Sequence, residues 1–210
     1  MSELLTEEEQ VERLKQWWKE NGRSIIVGVV VGLGLFGGWQ GWQGYQRGQA
    51  EFGAAAYDGF RQTAASADVD ATVAAEERLL QDFSSSTYAD FTALDTARQL
   101  VNAGRLEDAA ERLERVYRDG SSLALRELAG LRLVRVLMAE GKLDAASELL
   151  AEHSATALAG ETALLRGDLA RQQGDTARAR EAYEQALQAG VADPEWVRLM
   201  MQDVAQLPAG

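Results

Sequence analysis

LLRGDLARQQGDTARAREAYEQAL, residues 164–187, reads as two short helices joined at a glycine. The apolar residues of its first half recur at helical spacing up to Gln173, and Gly174 then suits the left-handed residue that ends a helix without steric penalty. Five residues later comes Ala179, small enough to let a second helix lie close against the first, and four further on Tyr183, large enough to fill the space between them. The same order recurs upstream in TARQLVNAGRLEDAAERLERV (96–116) and LRLVRVLMAEGKLDAASELLAEH (131–153). Gly104 and Gly141 match Gly174, Ala109 and Ala146 match Ala179, and Leu113 and Leu150 match Tyr183.

A period near 34 residues with this glycine, alanine and large-apolar spacing resembles the tetratricopeptide repeat. The third unit matches best, because Gly167 and Ala186 also stand at the pattern's positions. Ala97 and Val134 replace the early glycine in the other two, which predicts looser helix pairs there. Each unit can bury its apolar face only against a neighbour, so the expected fold class is all-α, a solenoid of helical hairpins. The repeats are expected at about 90–123, 127–160 and 160–193, and Pro194 opens a terminal capping helix over 194–206.

By the same alignment the first helices point three sets of side chains into a partner groove. They are Phe91, Leu94, Arg98 and Asn102, then Leu128, Leu131, Arg135 and Met138, then Leu164, Asp168 and Arg171. An apolar floor with scattered arginines suits an extended or helical segment of another protein. The chain's own residues 47–83 are an alternative occupant. The set lacks the lysine and asparagine combination with which some such domains clamp a terminal carboxylate.

Ahead of the repeats, residues 47–66 continue a helix, Ser66 to Asp70 form a turn, residues 71–83 form another helix, and Ser84 to Ser86 stop it. Further upstream lies SIIVGVVVGLGLFGGWQGWQGY, Ser24 to Tyr45, without one charged residue. As a helix it would be roughly 33 Å long, enough to cross a hydrocarbon layer of about 30 Å. The competing readings are a buried core helix and a cleaved secretory signal. A core helix seldom runs this far uncharged, and a signal peptide would not have an acidic 23-residue lead-in. Residues 24–46 are therefore expected to be one retained membrane helix, dividing a tail (1–23) from a large domain (47–210).

Trp39, Trp42 and Tyr45 suit the headgroup level at the far end of the span. Arg13, Lys15, Lys19 and Arg23 precede it, against Arg47 and Arg61 after it, so the positive-inside rule puts the N-terminus in the cytoplasm. Gly34, Gly37, Gly38, Gly41 and Gly44 share one helical stripe, and Gly28 and Gly32 form a GxxxG pair on roughly the opposite face. Both are expected to pack against other membrane helices, because small residues let backbones approach closely.

In the tail, Thr6 and Glu9 have capping-box spacing, and Val11, Leu14, Trp17 and Trp18 fall on one face. This is either a helix lying on the membrane surface or a plain lead-in, and Asn21-Gly22 is expected to break it before the span.

Chemistry is sparse. Cysteine is absent, which removes disulfides, thiolate metal sites and thiol nucleophiles, and His153 is the lone histidine. No phosphate-binding loop or hydrolase motif occurs, so no catalytic residue, cofactor or metal site is expected. A net charge of −12 argues against a nucleic-acid surface.

The order of parts resembles the YfgM-type ancillary subunits of the bacterial SecYEG translocon over nearly the whole chain. The resemblance rests on the paired aromatics of Val11 to Trp18, on Glu20-Asn21-Gly22, on the glycine-rich span closing in Gly38-Trp39, and on the degenerate repeats. The glycine density after residue 37 departs from that family. The resemblance implies a single-pass inner-membrane protein with its solenoid in the periplasm, a non-catalytic scaffold associated with the translocon during protein export. It further implies a membrane-anchored chaperone of the prolyl isomerase type as partner, and contact with a cytoplasmic stress regulator through the tail. An envelope stress regulator, or a scaffold of another envelope complex, are the alternative functions.

Overall fold

A computed structural model describes residues 7–66, 68–152 and 158–206, with side chains described from Val11 except at 44–47 and 49. Every described element is a helix: α1 (Glu7–Ala64), α2 (Val69–Phe83), α3 (Thr87–Asn102), α4 (Leu106–Asp119), α5 (Leu123–Ala139), α6 (Leu143–Glu152), α7 (Ala159–Gln172), α8 (Thr176–Ala189) and α9 (Pro194–Gln206). The chain divides into two units, Met1–Phe52 and Gly53–Gly210.

From Glu7 to Phe52 the first unit is one uninterrupted stretch of α1. Asn21-Gly22 does not break it, contrary to expectation. The Asn21 side-chain amide donates to the Trp17 carbonyl at 3.0 Å, and the Trp18 indole lies over Gly22, so both potential breakers are held from within the helix. Val11–Gln43 is long and apolar enough to cross a membrane, and Val27, Val30, Leu33, Leu35 and Phe36 are all more than half exposed. Thr6 and His153 lie outside the described residues, so the capping box and the lone histidine have no structural account.

The second unit is a series of helical hairpins. Phe60, at the end of α1, buries itself with Ala75 and Leu79 of α2 and Ala89 of α3. α2 begins before the expected turn is over, because Asp68 accepts the Ala71 backbone N–H at 3.0 Å and caps the helix. Ser86 and Ser122 cap α3 and α5 in the same way.

The repeat positions do what their residue types require. Gly104, Gly141 and Gly174 have φ of 76°, 76° and 83°. The residue after each donates its N–H five residues back: Arg105 to Leu100 at 2.8 Å, Lys142 to Leu137 at 2.9 Å and Asp175 to Ala170 at 2.9 Å. This is one C-terminal cap made three times, and it satisfies carbonyls that the helix itself cannot reach. Ala109, Ala146 and Ala179 are fully buried, and Leu113, Leu150 and Tyr183 fill the space beside them.

The core is carried from hairpin to hairpin. α5 carries apolar residues on two sides and is covered on both: Ala129, Leu133 and Val136 pack with α3 and α4, while Leu131, Val134 and Met138 pack with α6 and α7. α7, α8 and α9 share a third cluster, closed by Val197 and Val204. Here the all-α expectation and the tetratricopeptide-like reading hold.

Candidate functional site

Within the second unit, α3 and α5 leave a groove of about 290 Å³ between them. Its floor is apolar, formed by Leu94, Ala97 and Val101 from α3, Val136 and Ala139 from α5, and Leu106 from α4. Its polar groups are Arg98 and Asn102 on one wall and Arg132 and Arg135 on the other. Helical spacing explains the arrangement. Ala97 and Arg98 stand three and four residues after Leu94 and Val101 one turn further on, and Arg135, Val136 and Ala139 follow Arg132 in the same way, so each set shares a face.

The three guanidinium groups differ in their partners. Arg135 meets Glu161 of α7 at 3.0 Å. Arg98 stands 3.8 Å from Asp95, a loose pair, and the Asp95 carboxylate also accepts from the Tyr57 hydroxyl at 3.1 Å. Arg132 is half-buried and has no hydrogen-bond or ion-pair partner among the described residues. Burial lowers its pKa, Asp95 opposes that, and the like charges of Arg135 and Arg98 lower it further.

Of the expected groove residues, Leu94, Arg98, Asn102 and Arg135 are brought together here. Phe91 lies one turn before Leu94 and packs its ring 6.1 Å from Tyr57. Leu128 is half-buried against the first core cluster. Leu131 and Met138 belong to the interior instead, because α7 and α6 cover that side of α5. Leu164 supports the third cluster, and Asp168 accepts the Tyr183 hydroxyl at 2.8 Å, so with Arg171 one turn on they lie apart from the groove. Burial raises the Asp168 pKa against the opposing effects of Tyr183 and Arg171. Arg132 was not among the expected residues; its position three before Arg135 on one helix face is the signal that would have found it.

Among the described residues from Gly53 to Phe83, none lines the groove. They pack with α3 through Ala89 and are tied to it by the Tyr57–Asp95 hydrogen bond.

A second charge cluster is structural. The Glu76 side chain is only 3% exposed and meets Arg115 at 3.2 Å and Arg112 at 3.5 Å. Burial raises its pKa, and the two arginines pull in the other direction. Among the described residues there is no group of three or more potential metal ligands.

In α1, a side chain added at Gly28, Gly32, Gly34, Gly37, Gly38 or Gly41 would meet nothing within 4 Å, so these faces are open. Gly44 lies in the helix where surroundings are not described.

Residues 15–206 match the family described as a tetratricopeptide repeat-like domain. The chain is 32% identical over 190 residues to a Haemophilus influenzae protein named Ancillary SecYEG translocon subunit, covering 90% of this chain and 93% of that one. An Escherichia coli protein of the same name is 32% identical over 104 residues, 50% of each chain. No solved structure matches.

Proposed function

The chain belongs to the tetratricopeptide repeat-like family of ancillary SecYEG translocon subunits, and from that premise we propose that it is a non-catalytic scaffold held in the inner membrane by α1. In this reading the N-terminus is cytoplasmic and the hairpin domain periplasmic. The domain there links the channel to a membrane-anchored chaperone of the prolyl isomerase type during protein export.

The observation that carries the reading is the uncovered apolar surface of α1. Val27, Val29, Val30, Val31, Leu33, Leu35 and Phe36 are more than half exposed. In water that surface would cost on the order of 10 kcal/mol, and lipid removes the cost. Trp39 and Trp42, also more than half exposed, suit an interface at one end. The glycine faces, Gly34, Gly37, Gly38, Gly41 and Gly44 on one side and Gly28 and Gly32 on the other, let neighbouring membrane helices approach the backbone. Orientation rests on Arg13, Lys15, Lys19 and Arg23, which outnumber Arg47 and Arg61.

A photo-crosslinking residue at Leu33 or Gln40, flanking the main glycine stripe, tests the association in native membranes. Peptides of the channel subunits are the expected adducts; lipid adducts alone would count against it. Reporter fusions after residues 10 and 60 test the orientation, and a periplasmic signal from the first fusion would reverse it.

A further inference from the structure

We propose that a second groove, between α4 and α6, docks a helical protein segment whose apolar stripe is flanked by lysines or arginines. This deepens the scaffold reading by naming the chemistry of a partner. It rests on that reading only in treating the domain as a docking module, and crosslinking from α1 probes membrane attachment alone, so the two fail separately.

Residue spacing builds this groove. Glu107, Glu111 and Glu114 recur along one face of α4, and Glu148 and Glu152 stand four apart on α6, so each wall carries a row of carboxylates. Between the walls lies an apolar floor, Leu133 and Leu137 of α5 with Tyr117 of α4 and Leu149 of α6. Leu133 and Leu137 face a different side of α5 from Arg132 and Val136, so this space is separate from the one between α3 and α5. It holds about 560 Å³. Its α4 wall runs from Glu107 to Arg118, about 16 Å or three helical turns. Such a length and floor suit the apolar face of a helix laid between two others.

The charge is one-sided. The cations that line the groove and the recess at its end are already paired: Arg118 with Glu114, Lys142 with Glu140, and Arg105 with Asp108 and Asp70. Glu111 shares Arg112 with Glu76. Glu107, Glu148 and Glu152 have no hydrogen-bond or ion-pair partner among the described residues. Like charges four residues apart weaken a helix, so the Glu107–Glu111 and Glu148–Glu152 pairs carry a cost that an arriving cation offsets.

Glu140 points the same way independently. Its side chain is 7% exposed and its Oε1 accepts from Lys142 at 3.2 Å. Its Oε2 is buried without a partner, the one carboxylate oxygen so placed among the described residues. Glu140 lines the recess that continues the groove past Glu107 and Lys142, whereas the buried, partnerless nitrogens of Arg126 and Arg171 line neither space. A buried acceptor left unpaired costs free energy, and an ammonium or guanidinium donor entering the recess recovers it. The same charge disfavours other occupants. An anionic lipid surface is repelled, and so is a second copy of this chain, which itself carries −12.

The test uses the full chain in zwitterionic lipid nanodiscs and a labelled peptide with leucines at helical spacing and lysines on either side of them. The lysine peptide is expected to bind, and its glutamine counterpart to bind about tenfold or more weakly. Added salt should weaken the lysine peptide alone. Glu107→Gln, Glu148→Gln and Glu152→Gln combined should weaken binding about tenfold, with the melting temperature unchanged or higher. Three exposed charges removed elsewhere, as Glu181→Gln, Glu184→Gln and Asp203→Asn, should leave binding unchanged. Glu140→Gln should weaken it about threefold. Ala145→Arg, at an exposed position in the groove, should abolish it by presenting a like charge to the probe. Equal binding of the two peptides, or unchanged affinity in the groove triple variant or in Glu140→Gln, overturns the proposal. So does equal weakening in the two triple variants, which would make the attraction one of net charge alone. Dimers of the full chain that Ala145→Arg disperses, with no peptide bound, would reassign the groove to a second copy.

Discussion

The Tyr183 ring occupies the space where a Cβ on Gly167 would stand, so α7 and α8 approach closely because one residue has no side chain and the other fills the gap. Tyr183 is fully buried and its hydroxyl donates to Asp168, the neighbour of Gly167, at 2.8 Å. Gly167→Ala is therefore expected to destabilise the domain by about 1–3 kcal/mol through overpacking. Thermal unfolding of the full chain in detergent, followed by circular dichroism, measures it. Tyr183→Leu in the same chain should recover part of the loss, because the two positions share one volume and their effects are not additive.

Gly141→Ala removes stability for a different reason. Nothing lies within 4 Å of an added Cβ there, so sterics with neighbours play no part, and the cost comes from φ of 76° alone. The expected loss is about 1–2 kcal/mol, and Gly141→Asn should lose less, since Asn tolerates the left-handed region. Equal losses from the two variants would show that backbone strain is not the cause.

Positions with one steric solution were legible in the sequence. Gly104, Gly141 and Gly174 need positive φ, Ala109, Ala146 and Ala179 need to be small, and spacing alone finds them. The groove was legible only in part. α5 carries apolar residues on more than one side, so its period does not say which side a neighbour covers, and Leu131 and Met138 went to the interior. Aligning Arg98 with Arg135 by repeat offset passed over Arg132, which becomes notable only when its lack of a partner is seen. The uninterrupted α1 was hidden for a local reason: Asn21 usually competes with the helix, but here its amide bonds the Trp17 carbonyl within it.

Leu131→Ala is expected to cost about 2–5 kcal/mol, because it empties a fully enclosed site between α5, α6 and α7. Asn102→Ala, at an exposed groove position, should stay within about 0.5 kcal/mol of the parent. Denaturant midpoints of the two variants separate core from groove. Similar midpoints would mean that α7 does not cover α5 as described.

Glu76 and Asp168 set the pH dependence. Both carboxyls have pKa values raised by burial, in Glu76 despite Arg112 and Arg115 and in Asp168 despite Tyr183 and Arg171. A carboxyl whose folded pKa exceeds its unfolded value binds its proton more readily in the folded state. Its contribution is therefore fully present below the unfolded pKa and is lost as pH rises through the raised folded value. Relative to the rest of the protein, these two sites should favour mildly acidic over neutral solution. Glu76→Gln fixes the neutral form, so its stability is expected to fall less than the parent's between the ordinary glutamate pKa and neutrality. Unfolding across that window measures the difference. A steeper fall in Glu76→Gln would mean that Arg112 and Arg115 outweigh the burial of the carboxylate.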